Sequence, residues 1–319
     1  MTSRLEGGKG LSRMYRRARY APFLSQLVVT SECNLACAYC SEHGPDPEPV
    51  SLEELKRRVD DIARLRSLAL EFTGGEPLLH PSLVPLVKYS ATKRFRVLGL
   101  VTNGRLLTES LVHDLNDAGL TEMQVSVDGM KPGPASPKAL ESIRDKLDFL
   151  AGVARFKVSL TAVVGSGIAE DEVEGVVRFS RDHGFRPRLL FVHGADGSLA
   201  RGESELRHYR RIQASIGRRL RDPSGYREAL LSRGTAPFRC RAGSRYLYVD
   251  VEGMAGWCAH TRGLFRKPLH DYSFRDLREQ YHTPKPCNPR CTVGCARSCS
   301  FLDSWFPQRG VAGKPGADR

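Results

Sequence analysis

No stretch of this 319-residue sequence stays apolar for the roughly 18 residues that a membrane-spanning helix needs. No apolar core stands behind the polar, basic N-terminus, so a secretory signal is not expected. No internal repeat is visible. Acidic residues are in deficit, 36 against 49 lysines and arginines, which leaves a net charge of +13. The cysteine pattern of a disulfide framework is also missing. The nine cysteines fall into two groups, Cys33, Cys37, Cys40 and then Cys240, Cys258, Cys287, Cys291, Cys295, Cys299. Such clustering suits metal ligation in a reducing, cytoplasmic setting better than the cross-links of a small secreted domain.

A hydrophobic content of 40% is ample for a core, and the length admits one large domain or two. The positive charge is uneven. Residues 1–30 carry six basic side chains and one acidic, and residues 201–233 carry nine arginines and four acids. Two readings stand for it, a solvated surface or attraction to something anionic such as a phosphorylated substrate, an acidic peptide, a membrane surface or nucleic acid. Residues 1–22 form a basic arm, with Arg13, Arg16, Arg17 and Arg19 among Leu11, Met14, Tyr15 and Tyr20. It is read as a helix that packs across the bottom of a barrel or lies on anionic lipid.

From residue 23 the pattern is strand, loop, helix, repeated. Leu27-Val28-Val29 is a buried strand. Ser51 and Glu54 form a capping box for a helix that turns Leu52, Leu55, Val59 and Ile62 to one face. Further strands are expected at about 68–73, 95–101, 121–127, 156–164 and 188–192, with helices at about 82–93, after Thr108, after Ser136-Pro137 and at 169–183. This alternation argues for a parallel sheet wrapped by helices. Residues 203–233 read as helix and linker, with a domain boundary placed near 222 at Asp222-Pro223-Ser224-Gly225; from about 234 helical periodicity is lost, and a second domain, 223–307, is expected, followed by a disordered tail at 308–319.

The chain is organised around Cys33-Asn34-Leu35-Ala36-Cys37-Ala38-Tyr39-Cys40, which follows the first strand. Three thiolates on a tight loop suit a four-iron cube and leave one iron without a protein ligand. The spacing Cys-x3-Cys-x2-Cys, with an aromatic residue before the last cysteine, resembles the signature of radical S-adenosylmethionine (radical SAM) enzymes. Gly74-Gly75-Glu76-Pro77, about 35 residues on, resembles the family's second mark. The resemblance implies an α/β fold, a partial (β/α)6 barrel of TIM type spanning 23–222, with its site at the C-terminal strand ends. It implies a 4Fe–4S cluster on Cys33, Cys37 and Cys40, with S-adenosylmethionine bound at the open iron. A one-electron reductant such as flavodoxin or ferredoxin would drive its cleavage to a radical that takes hydrogen from a substrate. Gly74 and Gly75 would approach the methionine amino group, with Glu76 steadying the turn. Tyr39 would lie near the adenine, with Val163 or Val164 packing on it. Ser126 would contact the methionine or ribose part, though a serine there also suits a turn. Thr102 and Asp128 are further candidates, and Arg188 and His193 are placed toward substrate.

Cys240, Gly253 and Cys258 match the opening of the SPASM and twitch extensions of the same family, on a hairpin that begins at Tyr246. The full SPASM pattern has seven cysteines where this chain has six, so one auxiliary 4Fe–4S cluster is expected. Its ligands would be Cys240, Cys258 and two of Cys287, Cys291 and Cys295; a zinc site is the other use of such a set. The spacing and the diglycine terminus of the molybdenum-cofactor cyclase are absent. The competing function class is a basic binding protein stapled by metal, without radical chemistry.

Overall fold

The computed structural model describes residues 19–40, 42, 49–133, 136–164, 168–191, 203–215, 225–261, 263–301 and 303. The arm before residue 19, His193, the boundary at 222 and the tail lie outside these residues. Strands β1 (Leu24–Thr30), β2 (Ala69–Gly74), β3 (Val97–Thr102), β4 (Glu122–Ser126), β5 (Lys157–Val164) and β6 (Arg186–Phe191) pair in parallel, each with the next in the chain. Helices α1 (Leu52–Arg64), α2 (Leu83–Ala91), α3 (Glu109–Ala118), α4 (Arg144–Val153) and α5 (Glu170–Asp182) make the crossovers. They bury the Leu55, Val59 and Ile62 face expected of α1 against the sheet and, from the other helices, Leu86, Val112, Leu115 and Leu147. Each such leucine or valine contributes about 1.5–3 kcal/mol by leaving water.

The local signals acted as expected with two exceptions. Ser51 caps α1 by accepting from the Glu54 amide at 3.3 Å, but the Glu54 carboxylate turns to Arg58 Nε at 2.8 Å instead of closing the box. Arg58 also donates to the Val251 carbonyl at 2.9 Å, so the departure joins α1 to a distant turn. The helix expected after Ser136-Pro137 begins only at Arg144. Residues 128–133 and 136–139 instead run as irregular chain, where the Ser136 hydroxyl accepts from the Lys138 amide at 3.2 Å and its backbone pairs with Gly133.

The sheet does not stop at the expected domain boundary. After α6 (Glu203–Ser215) and α7 (Tyr226–Arg233), β7 (Tyr246–Val249) pairs in parallel with β1, and β8 (Met254–Gly256) and β9 (Arg266–Pro268) follow antiparallel. The result is one nine-stranded sheet, β6-β5-β4-β3-β2-β1-β7-β8-β9, curved as an open barrel with β6 and β9 at its edges. Two helices stand where periodicity was read as lost: α8 (Phe274–His282), with a Ser273/Asp276 capping box, and α9 (Gly294–Phe301). In α6, Arg207, Arg210 and Arg211 pair with Glu203, Glu228 and Glu174 at 3.2, 2.5 and 2.7 Å, so three of the arginines read as anion-seeking have internal partners. Among the described residues no helix is long and apolar enough to cross a membrane.

Candidate active site

The cysteine loop leaves the C-terminal end of β1. The Cys40 amide donates to the Cys37 carbonyl at 3.1 Å and folds the last two cysteines into a turn. The double-glycine turn after β2 lies directly against this loop. The Gly75 amide donates to the Thr30 carbonyl at 2.8 Å and the Glu76 amide to the Glu32 carbonyl at 2.7 Å. A Cβ on Gly74 would sit 2.2 Å from the Thr30 oxygen, and one on Gly75 2.1 Å from the Glu32 oxygen, so only glycine allows the approach.

Glu76 is fully buried. Its carboxylate accepts from the Leu78 amide at 3.0 Å, the Thr102 hydroxyl at 2.6 Å and the Asn103 amide at 2.7 Å. Burial pushes its pKa up, and these bonds work against that rise. The group braces the ends of β2 and β3. The Asn103 side chain continues the brace by donating to Asn34 Oδ1, in the cysteine loop, at 2.7 Å.

The irregular segment after β4 closes over the loop from the other side. The Tyr39 hydroxyl donates to the Asp128 carboxylate. Lys138 Nζ lies 3.3 Å from that hydroxyl and 5.2 Å from the ring centroid. Ser136 Oγ lies 3.6 Å from Cys37 Sγ. Burial opposes the Lys138 ammonium, but Tyr39 and Asp128 beside it hold its pKa above the ordinary value. Burial also raises the Cys33 thiol, with Glu76 and Cys40 adding to the rise.

A cavity of about 310 Å³ opens between these pieces. The three cysteines line it together with Tyr39, Gly74, Gly75 and Ser126. Thr102, Lys138 and Val163 also reach it, whereas Glu76, Asp128 and Val164 are not in its wall. The structure therefore lines one cavity with the residues expected from sequence to meet the cofactor, except Glu76 and Asp128, which act one step behind the wall, and Val164, whose neighbour Val163 lines it instead. Arg188 lines a second, lower cavity of about 550 Å³ toward the N-terminal ends of β5 and β6. Sequence reasoning missed Lys138, Ser136 and the Asn34–Asn103 pair. Asn103 stood in a marked strand-end turn, but nothing local distinguishes Lys138.

The late cysteines lie in one region, where Cys240, Cys258 and Cys299 share a buried cluster with Cys295 packed against it. Cys240, Cys258, Cys287 and Cys291 lie within electrostatic reach of one another, and burial pushes all four thiols up, Cys240 to about 11. Cys295 instead faces the upper cavity, in reach of Glu71 and Arg188. Cys299 lies one turn further along α9 and is buried. All nine cysteines are free thiols. Among the described residues no three Cys, His, Asp or Glu side chains converge as tightly as a single metal ion requires.

Residues 27–180 match the family model described as the radical SAM superfamily. They are a radical SAM domain. A GTP 3',8-cyclase of Parasynechococcus marenigrum is 33% identical over 192 residues, 52% of this chain and 55% of that protein. An AdoMet-dependent heme synthase of Methanosarcina barkeri is 35% identical over 112 residues, 34% of this chain and 32% of that one. The chain thus spans about half the length, or less, of these curated relatives. Among solved structures, Streptococcus suis SuiB bound to S-adenosylmethionine superposes over 88% of this chain and 70% of its own, with a TM-score of 0.70 and 14% identity. Methylornithine synthase superposes over 88% of this chain and 90% of its own, with a TM-score of 0.52 and 14% identity. These likenesses agree with the open α/β barrel. Radical SAM proteins use a 4Fe–4S cluster and S-adenosylmethionine, together with an electron donor and a substrate. The chain's donor set, three thiols on one loop beside an open cavity, fits that requirement.

Proposed function

We propose that this chain is a radical SAM enzyme whose Cys33, Cys37 and Cys40 hold the reactive cluster and whose Cys240, Cys258, Cys287 and Cys291 hold one auxiliary cluster. The observation that carries the reading is the clasp of the cysteine loop against Gly74-Gly75, made by two backbone hydrogen bonds at the mouth of a single cavity. When bound, the cluster supplies one electron to the sulfonium of S-adenosylmethionine, and the resulting radical takes a hydrogen atom from substrate.

The protein's own part is positional. Gly74 and Gly75 offer bare backbone to the methionine amino group, Ser126 a hydroxyl to its carboxylate or ribose, and Tyr39 and Val163 apolar surface to the adenine. Lys138 places a buried positive charge beside the cysteines and their anionic ligand. Glu76 and Asn103 hold the two loops at a fixed separation.

The relative named GTP 3',8-cyclase matches about half of this chain and about half of its own length, so it supports shared cofactor chemistry more than a shared substrate. A flavodoxin- or ferredoxin-type protein would deliver the electron. The test is anaerobic reconstitution with iron and sulfide, reduction, and assay of 5'-deoxyadenosine. Release that is abolished in Cys33→Ala, Cys37→Ala and Cys40→Ala supports the reading. Release that survives those changes, or zinc in place of iron, overturns it in favour of a metal-stapled binding protein.

A further inference from the structure

Closed barrels fill their interior with layers of branched apolar side chains. This open barrel carries a polar band instead. Side chains two apart on a strand share a face, so the lumen side can be followed strand by strand. Gln26 of β1, Glu71 of β2 and Gln124 of β4 line the floor of the upper cavity. On β5, Thr161 stands between Ser159, which lines the lower cavity, and Val163, which lines the upper. On β6, Arg188 stands directly below Leu190 of the upper wall. The band therefore lies between the level of the lower cavity and that of the upper.

Its members are incompletely satisfied. The Tyr246 hydroxyl donates to Gln26 Oε1, and Gln26 Nε2 donates to Glu71 Oε1 at 2.5 Å, which fixes the carboxyl group. Among the described residues Glu71 takes no other side-chain hydrogen bond. Arg188 makes no ion pair there, although it and Glu71 attract one another across the lumen. The Thr161 hydroxyl is buried, 2% exposed, with no partner at all. Gly99 faces Glu71 with no side chain; a Cβ there would come within 3.2 Å of Glu71 Cγ. A buried hydroxyl with no partner, beside a half-buried carboxylate and a half-buried guanidinium that form no ion pair, is costly, and such a site persists where a ligand completes it.

We propose that this band is a recognition site for a dipolar substrate, with Glu71 receiving an ammonium or similarly donor-rich cationic end, Arg188 an anionic end, and Thr161 and Gln124 the polar groups between them. This rests on the reading of the upper cavity as the S-adenosylmethionine site, since the ligand would lie beneath it. Two charges of opposite sign, held apart by the lumen, match a zwitterion. A polyphosphate would place its charge against Glu71 and be repelled.

The probes are the twenty common free amino acids, the N-acetyl and methyl-ester forms of those that bind, and GTP. Each is titrated calorimetrically into the anaerobically reconstituted protein loaded with S-adenosylmethionine. The expected result is saturable binding of at least one zwitterion and loss of that binding when either end is blocked. Glu71→Gln is expected to weaken it about tenfold or more, the loss of a charge-assisted bond. Thr161→Val is the internal control for folding: with no partner to lose it melts at or above the wild-type temperature, yet binds the zwitterion more weakly. Failure of every zwitterion to bind, equal binding of blocked forms or of GTP, or unchanged affinity in Glu71→Gln overturns the proposal. Release of 5'-deoxyadenosine without any probe reads the cofactor assignment separately, so the two can fail independently.

Discussion

Gly75 and Glu32 are in backbone contact, with the site of a Cβ on the glycine only 2.1 Å from the carbonyl oxygen of the glutamate. The contact joins the two sequence motifs of the domain into one object. Gly75→Ala therefore has to push the cysteine loop away, at a cost at or above the usual 1–3 kcal/mol, roughly, of overpacking. The expected outcome is a folded protein that retains substantially less iron at its early cysteines and releases little 5'-deoxyadenosine. Iron and sulfide counts per chain, set beside circular dichroism, check it.

The proposed auxiliary ligands, Cys240, Cys258, Cys287 and Cys291, predict distinct iron counts for substitutions among the late cysteines. Wild-type protein should carry about eight irons, four per cluster. Cys240→Ala and Cys291→Ala should each bring this to about four, while Cys295→Ala and Cys299→Ala leave it near eight. Metal analysis after anaerobic reconstitution decides it; loss of four irons in Cys295→Ala would return that thiol to the ligand set.

Lys138 and Ser136 flank Cys37 and Tyr39, one with a buried charge and one with a hydroxyl. Both stabilise added negative charge on a cluster held there. Lys138→Met should make its midpoint potential more negative, on the order of tens of millivolts, and Ser136→Ala should act in the same direction more weakly. Lys138→Arg keeps the charge and should restore most of the shift. A redox titration followed by electron paramagnetic resonance, without S-adenosylmethionine, measures each.

Glu71 gives a pH signature to stability. Burial raises its pKa in the folded protein, so the folded state favours the protonated acid. Its contribution is fully present below the ordinary carboxylate range and is lost as pH rises through the raised value. Compared with Glu71→Gln, the wild type should therefore lose relative stability as pH is raised from about 4 toward neutrality. Denaturant melts of the two proteins at a series of pH values give the difference, and a constant difference would contradict it.

The barrel was legible because its signals are local and repeated. Ser51, Thr108 and Gly119 punctuated helices as their side chains or backbone freedom dictate, and Gly119 indeed adopts φ 91°. The cysteine spacing and the glycine turn were legible for the same reason, since each is a constraint on neighbouring residues. What escaped was long-range. Ser136-Pro137 has the composition of a helix start, yet its hydroxyl is drawn to a cysteine 99 positions earlier. In the sequence Glu76 reads as steadying its own turn, but two of its three hydrogen-bond donors, the Thr102 hydroxyl and the Asn103 amide, lie at the end of β3, so its reach to a second strand was not legible. The polar band in the lumen is spread over five strands, one residue from each, and no window of sequence contains it.

The pairing of β7 with β1 has a consequence for how the chain can be divided. The strand that delivers the first three cysteines has no free edge, because the cysteine-rich half supplies its neighbour. A fragment ending before β7 would present a bare row of amides and carbonyls beside the reactive loop, and such rows recruit other chains. A fragment of either half is therefore expected to associate or aggregate through the exposed edge of β1 or β7, where the whole chain does not.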